Sequence, residues 1–227
     1  MDLSARISQA MSTRPRDDEA DMVISYKALQ RSIGIIGFLL PLVLLGYAAA
    51  SQAPLLGSMS AYYYARVGPY FVGSLFALGV FLYSYRYAPR DEWLSNLAGV
   101  FVVFVALCPT APPGTDADAY SAWNLAHLAA AASFFVVLAY FAYALFPKKP
   151  DAPIDWLPPW PSSTREDKRD WVYRICGAVI VLALLASVLN GLLHWGVLFW
   201  CEAIAVWAFS AAWLVKGGLL QILADVT

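Results

Sequence analysis

The residue best placed to do chemistry is a glutamate inside an apolar segment. Glu202 occurs in the stretch WCEAIAVWAF, where every other residue is uncharged. A carboxylate within a membrane is energetically costly, so it must face the protein interior, pair with a cation or be protonated. Glu202 is therefore a candidate ligand, ion or proton site. The structural alternative is an interhelical hydrogen bond or an ion pair with Arg66.

Several other polar residues are expected on the same side of the membrane as Glu202. The chain topology places them near the outer surface, at a depth similar to that of the carboxylate. Pockets for small molecules usually combine apolar walls with a few convergent polar groups. We therefore predict a ligand-binding site formed by Glu202, His127, Arg66, Tyr62 and Ser60.

A metal site is a second hypothesis for the same region. His127, His194 and an acid such as Asp116 or Glu202 could together supply nitrogen and oxygen ligands to zinc. A bound metal would activate water, and the protein would then be a metal-dependent hydrolase acting on lipid within the membrane. The two histidines have no HExxH or HxxxH spacing. We therefore favour a non-enzymatic function and assign no metal or other cofactor.

Other familiar chemical motifs are missing from the sequence. There is no GxxxxGK phosphate-binding loop, no GxSxG nucleophile elbow and no CxxCH haem attachment site. The three cysteines form no CxxC pair. The net charge of -1 provides no basic field for nucleic acid, so nucleic acid is not an expected partner.

The composition indicates that lipid surrounds most of the chain. Hydrophobic residues make up 60% of it and charged residues 14%, against about 25% charged in ordinary soluble domains. A membrane-spanning helix needs about 20 apolar residues. Six segments qualify, which predicts an all-α polytopic bundle of six transmembrane helices without a soluble domain. The predicted spans are about 32–50, 69–85, 94–108, 123–146, 172–193 and 197–215.

The basic residues predict the orientation of these spans. Of the 15 lysines and arginines, all except Arg66 fall before the first span, after the second, between the fourth and fifth, or after the sixth. Positive charge concentrates in cytoplasmic segments. Both termini are therefore predicted to be cytoplasmic, in a bacterial-type inner membrane.

The segments outside the spans have their own expected roles. Residues 1–30 lack apolar periodicity and are predicted to form a disordered cytoplasmic tail, followed by the bundle at 31–218. The loop 147–171 is rich in proline and contains Trp156 and Trp160. We expect this loop to lie along the lipid headgroups, where tryptophan is favoured, or to dock a partner protein.

Three stretches carry a family resemblance when taken together. They are SMSAYYYARVGPYFVGSLFALGVFLYSYR, LSNLAGVFVVFVALCPT and FWCEAIAVWAFSAAWLVKG. The chain resembles a family of uncharacterised bacterial multi-pass membrane proteins, and more distantly the DRAM-like and FGF-receptor-activating-protein-like group of six-helix proteins. The resemblance implies a compact six-helix bundle with a link to lipid handling, and it supplies no catalytic motif.

Three functions remain open from the sequence. The favoured hypothesis is an integral membrane protein that binds a lipid or apolar small molecule in an outward-facing cavity, as a transporter, a sensor or a complex subunit. The alternatives are the metal-dependent lipid hydrolase and a structural or assembly subunit. The expected partners are membrane lipids, with a protein partner or a homo-oligomer within the membrane as a further expectation.

Overall fold

The computed structural model is all-helical over the residues it describes, which are 3–86, 89–112, 121–147 and 165–219, with side chains from residue 26 onward except at positions 89, 90, 121 and 165–167. No β-strand occurs in these ranges. A 3-10 turn covers Ser60–Tyr64, and a π-helical turn, Phe141–Leu145, extends the fourth helix. The six α-helices are α1 Leu3–Ser51, α2 Gly68–Tyr83, α3 Pro89–Leu107, α4 Ser121–Tyr140, α5 Arg165–Leu193 and α6 Leu198–Lys216.

The six helices are arranged as a closed ring. Each helix packs against its neighbour in sequence, and α6 returns to pack against α1. The connections between α2 and α3 and between α5 and α6 are short, which favours antiparallel packing of these two pairs. One end of the ring, the Glu202 end, carries the α1–α2 and α3–α4 connections and the α5–α6 turn. The opposite end, the Lys216 end, carries the α2–α3 connection and the end of α6.

Helical spacing selects the residues that face into the ring. In α2 the buried side chains Phe71, Leu75, Leu78 and Leu82 recur at the three- and four-residue spacing of one helix face. Val80, on the opposite face of the same helix, is exposed. Both faces of α2 are apolar, as expected of a helix that packs inward on protein and outward on lipid.

Small residues allow the helices to approach closely. A Cβ atom placed on Gly99 of α3 would lie 2.9 Å from the carbonyl oxygen of Gly79 in α2, so the two backbones touch. Hydrophobic burial contributes little between helices in lipid, and close contacts of this kind drive their association instead. The Gly79–Gly99 contact therefore sets the separation and rotation of α2 and α3.

An aromatic cluster fills the Lys216 end of the ring. The fully buried Trp213 packs edge-to-face on Tyr85 and Phe146, with ring centroids 4.9 and 5.1 Å away. Lys216 donates a hydrogen bond to the Phe146 carbonyl at 3.2 Å, and Arg31 donates one to the Gly217 carbonyl at 2.8 Å. The second bond joins α1 to the end of α6 and helps to close the ring.

Four of the helices are long and apolar enough to cross a membrane. The four segments are Tyr26–Ser51 of α1, Ala122–Leu145 of α4 with its π-helical turn, Lys168–Leu193 of α5 and Leu198–Lys216 of α6. Helix α2 is apolar but has only 16 residues. Helix α3 has 19 residues and begins with the charged run Arg90, Asp91 and Glu92. Length and composition therefore support four of the six predicted spans.

Two predicted segment boundaries differ from the structure. A disordered tail was predicted for residues 1–30, but α1 already begins at Leu3. The first span extends into this region as a helix because lengthening an existing helix costs less free energy than nucleating a new one. Helix α5 begins at Arg165, inside the predicted interfacial loop, because its first turns, REDKRD, contain good helix formers. Trp156 and Trp160 of that loop lie outside the described residues.

Candidate ligand-binding cavity

A partly open cavity lies inside the ring, between the Glu202 end and the middle of the bundle. Its volume is about 60 Å³, and its walls are mostly apolar. Helices α1, α2, α3, α4 and α6 contribute side chains, whereas α5 packs across α4 and α6 and contributes none. Three polar residues line the cavity, namely Ser60, His127 and Glu202.

Glu202 reaches the cavity from the second turn of α6. It shares one helix face with Val206 and Phe209, which follow at four- and seven-residue spacing and also line the cavity. One carboxylate oxygen, Oε2, accepts a hydrogen bond of 2.6 Å from the backbone N–H of Met59. The structural alternative for Glu202 was a hydrogen bond to another helix or an ion pair with Arg66. The hydrogen bond that Glu202 makes is instead with the Met59 backbone, and it occupies one of the two carboxylate oxygens.

The closing segment, residues 52–67 between α1 and α2, folds over the start of α6 and closes the Glu202 end. Besides the Met59–Glu202 bond, the N–H of Phe199 donates to the Gly57 carbonyl at 3.0 Å. The Ser58 hydroxyl accepts a hydrogen bond from the Ala61 N–H at 3.2 Å and pairs with the Ser60 hydroxyl at 3.0 Å. These bonds hold Ser60 at the cavity wall.

His127 reaches the cavity from α4 and is 8% exposed. Its Nδ1 lies 2.8 Å from the carbonyl oxygen of Cys108, at the end of α3. A carbonyl can only accept, so Nδ1 carries the proton and the neutral ring offers Nε2 as an acceptor. The ring also has a hydrogen bond with the backbone of Val105, so the histidine ties α4 to α3 at two places.

Two other predicted ligand contacts lie outside the cavity wall. Tyr62 is buried two residues after the cavity-lining Ser60, with its ring against Tyr47 and Phe199. Its hydroxyl accepts a hydrogen bond of 3.3 Å from the Leu56 N–H. Tyr62 therefore packs the closing segment in place. Arg66 is exposed and forms no ion pair with Glu202.

The residues of the metal hypothesis are dispersed as far as the structure describes them. His127 is buried at the cavity, whereas His194 is exposed in the α5–α6 turn, with a positive φ of 54°. Asp116 lies outside the described residues. Within the ranges where side chains are described, no group of three or more histidine, cysteine, aspartate or glutamate residues could hold a metal ion.

Sequence reasoning considered Trp200, Trp207 and Phe209 as walls of an apolar pocket, of which only Phe209 lines the cavity, and it named neither the other walls nor the backbone partners. On α4 and α6 the wall residues carry a usable signal, since they continue the helical spacing that starts at His127 and Glu202. The Met59 N–H and the Cys108 carbonyl carry no such signal, because every residue has these groups. The apolar wall residues that matter most are Phe71, Leu75, Leu78, Phe134, Val206 and Phe209.

The fold and the cavity define the class of the protein, an all-helical bundle with helices suited to a membrane. Comparison with known proteins adds no closer identification. No protein-family model matches the chain, and no curated protein and no solved structure gives a significant match.

Proposed function

We propose that this protein is a six-span membrane bundle that binds a single-chain lipid or another slender apolar molecule in its central cavity. The observation that carries the proposal is the meeting of Glu202, His127 and Ser60 in one cavity with otherwise apolar walls. A few convergent polar groups in an apolar pocket are the usual design of a small-molecule site. The polar groups orient one end of the ligand, and the walls hold its hydrocarbon part.

The size of the cavity limits what it binds. At about 60 Å³ it holds about four water molecules, at roughly 15 Å³ each. A dry protein cavity that binds benzene measures about 150 Å³. The cavity therefore encloses a small head group or the first few carbons of a thin alkyl chain, and the rest of a longer chain would extend through its open side.

The proposal includes all six helices as spans. Helix α2 is about 24 Å long by its 16 residues, which is short for a hydrocarbon core of about 30 Å. It nevertheless packs between α1 and α3 and exposes Val80 and Tyr83 to the outside of the ring. Helix α3 likewise exposes Val100, Phe104 and Leu107. These exposed apolar side chains favour a lipid environment and support a crossing by both helices.

The proposal also includes the orientation. The positive charge of the amino-terminal segment and of the start of α5 favours placing the Lys216 end in the cytoplasm of a bacterial-type inner membrane. The cavity then lies toward the outer side of the membrane. A ligand would reach it from the outer leaflet or from the space outside.

The binding is tested by filling the cavity from its wall. Ala131 of α4 lines the cavity, whereas Ala129 of the same helix is exposed on the outside of the ring. The full chain is purified in native lipid and examined by native mass spectrometry as wild type, Ala131→Leu and Ala129→Leu. We expect a bound molecule in the wild type and in Ala129→Leu, and its loss in Ala131→Leu.

Thermal unfolding of the same samples separates blocked binding from misfolding. A bound molecule that persists in a folded Ala131→Leu protein would place the binding elsewhere and refute the proposal. A wild-type protein that carries nothing, and that takes up no added single-chain amphiphile, would also refute it.

A further inference from the structure

The polar groups that face the cavity are mainly hydrogen-bond acceptors. Glu202 uses Oε2 to accept the Met59 N–H, and its other oxygen, Oε1, has no partner among the described residues. An ionised carboxylate has no hydrogen to donate. The Glu202 side chain therefore offers the cavity an acceptor that the protein leaves unused.

His127 also lines the cavity, but its polar atoms serve the backbone. Its Nδ1 donates to the Cys108 carbonyl, and the ring has a further hydrogen bond with the Val105 backbone. The Ser60 hydroxyl is already engaged with Ser58. The acceptor left unused at the cavity is therefore the Oε1 of Glu202.

None of the described residues supplies a cation to this cavity. No lysine or arginine is among those that line it, and Glu202 forms no ion pair with a described residue. The sole basic residue of the closing segment, Arg66, is exposed and away from the cavity wall. A carboxyl group among apolar walls is costly unless it is protonated or a cation pairs with it. A ligand that carries both hydrogen-bond donors and positive charge would supply that cation and allow Glu202 to be ionised.

We infer that the ligand of this cavity is an amphiphile whose polar end is a protonated amine. An ammonium group has three N–H donors and no acceptor, which matches the unused Oε1 of Glu202. Its hydrocarbon part lies along the apolar residues deeper in the ring, among them Leu75, Leu78 and Phe209. The inference rests on the proposed function, since it specifies the ligand of the same cavity.

The electrostatics of the cavity disfavour the other common head groups. A carboxylate or phosphate head would meet the Glu202 carboxyl group with no positively charged side chain among the described lining residues to offset the repulsion. An alcohol can donate one hydrogen bond, but it leaves the carboxylate without a counter-charge. Hydrogen bonds with a charged donor or acceptor are roughly twice as strong as those between neutral groups. The amine is therefore the preferred head group at equal chain length.

Three probes of equal chain length test the head group. Octylamine, 1-octanol and octanoic acid are radiolabelled and bound to the full chain in phosphatidylcholine nanodiscs. Nanodiscs that contain the Ala131→Leu protein measure how much of each probe partitions into the lipid, and this amount is subtracted from the amount bound to wild-type nanodiscs. We expect octylamine to bind at least about tenfold more tightly than 1-octanol, the ratio that an added ionic hydrogen bond of about 1.4 kcal/mol gives, and octanoic acid to bind most weakly.

A matched variant ties the preference to Glu202. Glu202→Gln keeps an acceptor for the Met59 N–H and removes the charge, so the fold is retained while the preference for octylamine over 1-octanol falls to near unity. Equal binding of octylamine and 1-octanol to the wild type, or a preference that survives in Glu202→Gln, overturns the amine assignment and leaves the proposed cavity function standing. Absence of binding by all three probes overturns both. Should Glu202→Gln fail to fold, the rank order on the wild type decides.

Discussion

At the scale of single residues, the cavity side chains have both structural and binding roles. Glu202 holds the segment between α1 and α2 through Met59, and His127 holds the end of α3 through Cys108. Each side chain uses a polar atom to hold the backbone and also lines the cavity. Substitutions that keep the backbone hydrogen bond and change the rest of the side chain can therefore separate stability from binding.

His127 allows this separation in a pair of variants. Its replacement by alanine leaves the Cys108 carbonyl without its donor and lowers the free energy of unfolding by about 1–3 kcal/mol. His127→Asn keeps an N–H near the position of Nδ1 but has nothing at Nε2. We expect near wild-type stability and weakened octylamine binding in His127→Asn. The checks are SDS-induced unfolding and the nanodisc assay, and equal stability of the two variants would contradict the bond to Cys108.

Trp213 allows a test of the aromatic cluster. The side chain is fully buried and makes edge-to-face contacts, yet its indole N–H has no hydrogen-bond partner in the described part of the chain. Trp213→Ala should lower the free energy of unfolding by about 3–5 kcal/mol through the cavity it leaves. Trp213→Phe keeps a ring and removes the unpaired donor, so its cost should stay below about 1.5 kcal/mol. Similar losses in both variants, measured by SDS titration, would show that the N–H matters more than the ring.

At the scale of elements, the contact between α2 and α3 determines how both helices turn toward the cavity. Phe71, Leu75 and Leu78 of α2 and Val102 of α3 line the cavity. The Gly79–Gly99 contact is made by backbone atoms, which cannot rotate away as a side chain does. A larger residue at this contact must therefore separate the two helices.

A glycine substitution tests this contact against a matched control. Gly99→Ala brings a Cβ to 2.9 Å from the Gly79 carbonyl oxygen, and overpacking of this kind should cost about 1–3 kcal/mol. The same change at Gly73 of α2 meets no atom within 4 Å, so alanine there should raise helix stability by about 0.5–1 kcal/mol. Unfolding in SDS compares the two variants. A stabilised Gly99→Ala protein would exclude a tight α2–α3 contact.

At the scale of the whole molecule, the ring of helices permits two membrane arrangements that differ in α2 and α3. If six helices cross, Gln52 after α1 and Ser84 after α2 lie on opposite sides. If only the four long helices cross, Gln52 and Ser84 lie on the same side. Both residues are exposed, and the three native cysteines are buried.

Cysteine labelling in intact cells distinguishes the two arrangements. We expect a membrane-impermeant maleimide to label Gln52→Cys in intact cells and Ser84→Cys only after permeabilisation, because the basic segments place the Lys216 end in the cytoplasm. The wild-type chain, with its buried cysteines, reports the background. Labelling of both positions from the outside would support the four-span arrangement, and the reverse order of labelling would invert the predicted orientation.

The sequence by itself determined that the chain is helical and where the helices of the bundle lie. The predicted spans fall on the six helices of the bundle, because long apolar segments satisfy their backbone polar groups only as helices. The sequence also pointed to Glu202, since one carboxylate among apolar residues needs a partner. These features depend on composition along the chain, which a sequence displays directly.

Only the tertiary structure decided which polar residues meet. Ser60, His127 and Glu202 line one cavity, whereas Tyr62 packs beside it and Arg66 is exposed, although all five were predicted together. In a helix with apolar residues on every face, the side that turns inward is set by contacts with its neighbours. Those contacts depend on backbone atoms and on glycines far apart in the chain, so the sequence pattern alone cannot specify the rotation of each helix.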